Sequence, residues 1–183
     1  MGFTALDLNT KKFKKFGGFM IDNIIDYINN YIKQGLDMRL FVGCDSHHRR
    51  KHTIYALTIV LYDIGMRDGA HVLFLRLQEK KEKDIFTRLL NETLYCLDVA
   101  EFLENNIDLT YKPIFKRCDY SGNYPTKRIE VHLDVNPLEG NNKHNKSNDV
   151  YNTVMGLVSG YGYCVKSKPN SPASSCAADL LAK

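Results

Sequence analysis

Four carboxylates, Asp45, Glu92, Asp134 and Asp179, stand where a solvated surface charge is not expected. Asp45 closes the apolar run Leu40-Phe41-Val42-Gly43-Cys44, and Asp134 closes Ile129-Glu130-Val131-His132-Leu133. Glu92 interrupts the apolar stripe of a helix, and Asp179 sits within Ala177-Ala178-Asp179-Leu180-Leu181. A carboxylate withdrawn from water is costly unless something positive neutralises it. No basic residue adjoins the four at a matching spacing, so a divalent metal ion is the economical partner. Hard oxygen donors in that number suit magnesium or manganese, as one ion or two. Two such ions about 3.5–4 Å apart activate an attacking water and stabilise the leaving oxygen of a phosphodiester. Cleavage of nucleic acid by that route needs no Ser or His nucleophile.

Each residue also has a plainer reading. Asp at a strand end is a common turn former. Glu92 can be a snorkelling side chain or one bonded to a buried backbone amide, and Asp179 a solvent-facing helix residue. Spacing separates some of these. A helix advances about 100° per residue, which sets Ile85, Leu89, Cys96, Val99 and Leu103 along one line. Glu92 falls on that line and Glu101 at the edge of the polar face. If the strands ending at Asp45 and Asp134 are parallel neighbours, both carboxylates emerge at one edge of the sheet. The C-terminal edge of parallel strands is where α/β sheets build their sites.

The densest basic cluster, His47-His48-Arg49-Arg50-Lys51-His52, directly follows Asp45. It is either a solvated turn or a hairpin that holds phosphates beside the carboxylates. Lys143, His144, Lys146, Lys166 and Lys168 extend that patch. Tyr161 and Tyr163 either stack on bases or serve as surface and core of a strand. His132 shares a strand face with Asp134 and either assists proton transfer or is structural.

The elements that must position these groups follow from periodicity. Residues 1–18 are polar and basic, end in Gly17-Gly18, and read as a loosely packed arm. Ile21, Ile24, Ile25, Ile28 and Ile32 recur at helical spacing, so an amphipathic helix precedes the first strand. Residues 39–45, 53–63 and 71–77 are strand-like with short links and predict an antiparallel meander. A long helix follows over 84–105, and 109–117 offers a further strand beyond the five counted in the sheet. Residues 128–134 form a strand with Ile129, Val131 and Leu133 on one face and Glu130, His132 and Asp134 on the other. Residues 137–148 read as a loop, 149–159 as a helix and 161–166 as a last strand. Ser171-Pro172 starts a terminal helix, with Ser as N-cap and Pro at the first helical position. The expectation is an α/β fold. Its mixed five-stranded sheet has three antiparallel strands, then helix-linked parallel ones, with flanking helices and an extra N-terminal helix. Residues 19–183 read as one domain.

The whole composition fits that reading. The chain has 183 residues, 44 % hydrophobic and 25 % charged, as an ordinary globule does. A net charge of +4 permits nucleic acid as a partner without demanding it. Five scattered cysteines without a CxxC pair argue against a disulfide framework and for reduced thiols in the cytoplasm. No stretch reaches the roughly 18–20 apolar residues of a membrane span.

The segments Phe41-Val42-Gly43-Cys44-Asp45-Ser46, Glu130-Val131-His132-Leu133-Asp134-Val135-Asn136, and Lys168-Pro169-Asn170-Ser171-Pro172-Ala173-Ser174 through Ala178-Asp179 carry a resemblance. The chain resembles the YkuK-type ribonuclease H-like family over residues 38–183. That resemblance implies an Asp on the first strand (Asp45), a Glu on the first long helix (Glu92), an Asp on the fourth strand (Asp134) and an Asp on the last helix (Asp179). It implies a magnesium- or manganese-dependent nuclease acting on RNA, RNA–DNA hybrid or branched DNA. His47, His48, Arg49, Arg50, Lys51, Lys166 and Lys168 would contact the nucleic acid. Two alternatives stand beside it: a non-catalytic nucleic-acid-binding module, and a structural or assembly protein on the same fold.

Overall fold

The computed structural model describes residues 6–34, 38–64, 70–113, 118, 120, 122, 124–137 and 146–183, without the side chains of 146–149. Three long strands, β2 (Met38–His48), β3 (His52–Asp63) and β4 (Ala70–Lys80), pair antiparallel as the meander predicted from their short links. The numbering begins with a two-residue strand β1 (Lys14–Lys15) and helix α1 (Ile24–Ile32). After the meander come α2 (Ile85–Asn106), β5 (Glu130–His132), α3 (Lys146–Gly160) and β6 (Cys164–Lys166). A π-helical turn (Ala173–Ala178) leads into α4 (Asp179–Ala182). The sheet order is β1-β4-β3-β2-β5-β6, with β5 parallel to β2 and β6 parallel to β5.

The sixth strand comes from the arm. Lys14 and Lys15 pair with Phe74 and Leu73 of β4, and the neighbouring Phe13 and Leu8 are buried. Leu8, Phe13 and the strand pairing therefore tie the arm to the fold, while residues 9–12 stay exposed. The cause is Phe13, which enters the main core and brings its flanking lysines to the sheet.

The two faces of the sheet are covered differently. Leu40, Val42 and Cys44 of β2, with Leu57, Ile59 and Leu61 of β3 and Val131 of β5, join one core that includes Ile28, Leu103 and Val154 from α1, α2 and α3. Burying each such side chain contributes roughly 1.5–3 kcal/mol. On the opposite face Phe41, Val60 and Ala173 form one small cluster, and Ala56, Leu181 and Ala182 form another. Among the described residues, the C-terminal segment covers that second face. Because β5 is covered on both sides, all three of its residues are buried, polar Glu130 and His132 included. Glu130 is paired with Arg39.

Several local expectations change. Residues 109–113 hold no strand, and 114–117 lie outside the described residues. The last strand begins at Cys164, after a turn in which Gly162 takes φ 86°. That leaves Tyr161 exposed and Tyr163 in the core. Ser171 does not cap the last helix with its hydroxyl. Its carbonyl accepts from the amides of Ser174 and Ser175, and its Oγ is buried without a hydrogen bond. Helix α3 starts at Lys146, inside the segment read as a loop.

No helix among the described residues is long and apolar enough to cross a membrane.

Candidate functional site

Strand register explains how the acids meet. In the parallel seam Phe41 pairs with Glu130 and Gly43 with His132. Two residues further along both strands come Asp45 and Asp134. On the other side His132 pairs with Lys166, and two residues on stands Lys168. Asp45, Asp134 and Lys168 therefore form a row where the three parallel strands run out. Asp45 itself is not a strand end: β2 continues to His48, with Asp45 opposite Ala56. It is the parallel pairing that stops before it, opening that edge to ligands.

The C-terminal segment brings the third acid. Its backbone crosses β2 at Gly43, where an added Cβ would lie 2.5 Å from Ala173 C and 2.5 Å from Ser174 N. The same residue is clamped from both sides. The Ala173 amide donates to His132 Nδ1 at 3.2 Å, and the Thr58 hydroxyl donates to the Ala173 carbonyl at 2.9 Å. Arg76 Nε and an Arg49 NH2 group donate to the carbonyls of Leu181 and Lys183, holding the far end. Cations suit the carbonyl end of a helix. Between these clamps the segment carries Asp179 over the face that holds Asp45.

His132 thus serves as an acceptor at Nδ1, which fixes the neutral ring with its proton on Nε2. Burial, then the charges of Arg39 and Lys166, push its pKa down to about 3. Its role is structural, and the ring stacks on Phe41 at 4.6 Å between centroids.

Glu92 comes from the other side. Successive strand residues point to opposite faces, and Ser46 follows Asp45. The Ser46 hydroxyl donates to Glu92 Oε1 at 2.6 Å, and Arg88 donates to the Ser46 carbonyl at 3.0 Å and to its Oγ at 3.1 Å. Glu92 faces inward as the helix stripe has it, being 3 % exposed while Glu101 lies at the surface. That inward stripe faces the main core, so Glu92 borders the other three acids across the strand and does not join them on their face.

Charge coupling ties the four together. Burial chiefly raises Asp45 to about 6, and the charges of Asp134 and Asp179 add to it against the Ser46 amide and Arg88. Burial raises Glu92 to about 8, helped by Asp45 and Asp134 and opposed by Ser46 and Arg88.

Basic partners are present after all. Lys168 Nζ lies 2.8 Å from Asp134 Oδ1, and Lys183 Nζ lies 2.7 Å from Asp179 Oδ2. Arg88 stands one helical turn before Glu92, and Lys183 one turn after Asp179. The premise that no cation matches the acids therefore fails. The Lys168 ammonium is the partner of Asp134 Oδ1, an oxygen otherwise withdrawn from water. Among the described residues no three Asp, Glu, His or Cys side chains are gathered closely enough to hold a metal ion. The donors fit a hard divalent ion in kind, being carboxylate oxygens. Two of them, Asp134 and Asp179, are paired with lysines.

The basic cluster is split by the hairpin. His47 and His48 end β2, and Arg49, Arg50 and Lys51 form the exposed link to β3. His48 Nδ1 lies 3.2 Å from Thr53 Oγ1. Arg49 braces α4, and Lys166 ends β6 half-buried. Lys143 and His144 lie outside the described residues, as does the side chain of Lys146.

A meander followed by parallel strands, with acids at their shared C-terminal edge, defines a ribonuclease H-like fold. The family model described as Ribonuclease H-like matches residues 20–183. The chain belongs to that family, and the match takes in α1, which the shorter resemblance left outside. No curated protein and no solved structure matches the chain.

Proposed function

We propose that the protein hydrolyses phosphodiester bonds in nucleic acid with one or two magnesium or manganese ions. One observation carries this reading: Asp45, Asp134 and Asp179, from three separate elements, share one face at the parallel edge and are electrostatically coupled at Asp45. These three would hold the ion, with Glu92 bordering them from the helix side. Such an ion supplies an activated water and charge for the leaving oxygen. The chain's own residues supply the frame. His132 and Thr58 fix the segment bearing Asp179, and Ser46 ties Glu92 to the strand of Asp45. Lys168 and Lys183 neutralise two of the acids, so ion and ammonium compete for them. The YkuK-type segments and the family's fold support the same reading, with RNA, RNA–DNA hybrid or branched DNA as substrate and the cytoplasm as location.

Asp45→Asn and Asp134→Asn, each made singly, are expected to reduce magnesium-dependent cleavage on the order of a thousandfold. Cleavage is assayed on a panel of RNA, hybrid and branched-DNA substrates. A wild type that cuts none of them ends the proposal.

A second reading, a nucleic-acid-binding module without catalysis, draws on the two lysine pairs, which neutralise Asp134 and Asp179 without any metal. It expects salt-sensitive binding that survives both Asp→Asn changes.

A further inference from the structure

A cavity of about 350 Å³ lies beside the carboxylates, between the hairpin, β4 and the end of α4. Arg49, Arg76 and Lys183 supply its charge, Gln78 and Ile54 complete its wall, and no Asp or Glu lines it. Its volume is in the range of small-ligand sites. Register places it. Asp45 pairs with Ala56, and Ala56 with Arg76, so the three stand level on one face. Neighbouring strands are about 4.8 Å apart, which sets the Arg76 backbone roughly 10 Å from that of Asp45. A short stretch of nucleic-acid backbone, rising about 3.4 Å per nucleotide on a duplex strand, spans that distance.

The two arginines already cap α4, each through one N–H. A guanidinium carries further donors in a planar fork that matches phosphate oxygens. The caps hold both guanidiniums at the end of α4, where both arginines line the cavity. Lys183 connects the two regions, with its ammonium on Asp179 and its carbonyl on Arg49.

We propose that this cavity is a phosphate subsite, holding the nucleic-acid backbone to one side of the carboxylates. The proposal rests on the nucleic-acid part of the function given above and not on cleavage. A backbone anchored at Arg49 and Arg76 lies across the face that bears Asp45, and the anchor is independent of sequence.

The test uses the full chain in chelator, so that no cleavage is required. Inorganic phosphate and a short single-stranded oligonucleotide are each titrated into isotope-labelled protein, and the Arg49 and Arg76 Nε–H signals are followed by NMR. Both probes are expected to shift both signals. Gln78→Glu puts a negative charge on the exposed wall and removes no brace of α4. It is expected to abolish the phosphate shifts, weaken oligonucleotide binding about tenfold and lower its salt slope by about one. Gln78→Lys is expected to tighten binding. Silent arginine signals, shifts with free phosphate but not with the oligonucleotide, or unchanged affinity in both Gln78 variants would each overturn the subsite. If the shifts appear as expected while no substrate is cleaved with magnesium, the subsite stands and the nuclease reading falls.

Discussion

Gly43→Ala is expected to destabilise the protein by about 3 kcal/mol or more and to remove metal-dependent cleavage with it. The added methyl would sit 2.5 Å from two backbone atoms of Ala173 and Ser174 and 2.7 Å from the Ala173 carbonyl oxygen. A flexible side chain could swing aside, but these are main-chain atoms clamped by His132 and Thr58. Overpacking a tight interior costs typically 1–3 kcal/mol and more where backbone must move. Relief requires the C-terminal segment to lift off β2, which breaks both clamps and carries Asp179 away from Asp45. Gly156→Ala makes the control. It lies within α3, where, among the described residues, a new Cβ would meet Tyr120 Oη alone, at 3.6 Å. It should stabilise by roughly 0.5–1 kcal/mol, because glycine is unfavourable inside a helix. Urea denaturation midpoints compare the two. A Gly43→Ala protein within ~0.5 kcal/mol of wild type would show that the segment is not seated on β2.

The metal-free protein is expected to lose stability as the pH rises, and Glu92→Gln to abolish most of that loss. Glu92 titrates near 8 and Asp45 near 6 in the folded chain, against ordinary values of 4.5 and 3.8. Both folded values lie above the unfolded ones, so the folded state holds protons that the unfolded state releases. The stability tied to those protons is fully present below about pH 4. It drains away as the pH climbs through 6 for Asp45 and 8 for Glu92. A buried glutamine carries no charge to desolvate and keeps an oxygen to accept from Ser46. At pH 8.5 in chelator the variant should therefore be more stable by about 3 kcal/mol. A chain of this length moves roughly 2–4 °C per kcal/mol, an effect that calorimetry resolves easily. Equal pH slopes for variant and wild type between pH 6 and 9 would contradict the buried position of Glu92.

Much of this arrangement is legible from local periodicity. The apolar alternation of 128–134 marks a strand, and the stripe through Leu89, Cys96, Val99 and Leu103 picks Glu92 over Glu101. Strand alternation also contains a fact that the acidic residues taken together obscure. Leu40, Val42 and Cys44 fill the main core, so Ser46 faces it and Asp45 turns away. A helix stripe that seeks that core must then deliver Glu92 to Ser46 and not to the face of Asp45. Arg88 and Lys183 sit at helical spacing from Glu92 and Asp179 and are equally readable once the helices are drawn. Lys168 is different, because its place beside Asp134 depends on the register between β5 and β6, which no local pattern encodes. The same holds for β1, whose two residues have no strand signal of their own and pair because Phe13 is buried beside them.

That small strand bears on how the molecule behaves among its own copies. Without β1, the eleven residues of β4 would form the outer border of the sheet, a long row of unpaired backbone groups. Such borders recruit strands from other chains. Lys14 and Lys15 occupy part of this one, and the Phe16 amide donates to the Val72 carbonyl, so an incoming strand meets both a filled site and positive charge. Among the described residues the opposite border is the three residues of β6. The family match begins at residue 20, after this guard. A chain cut to that boundary would keep its carboxylates and bare its most adhesive edge.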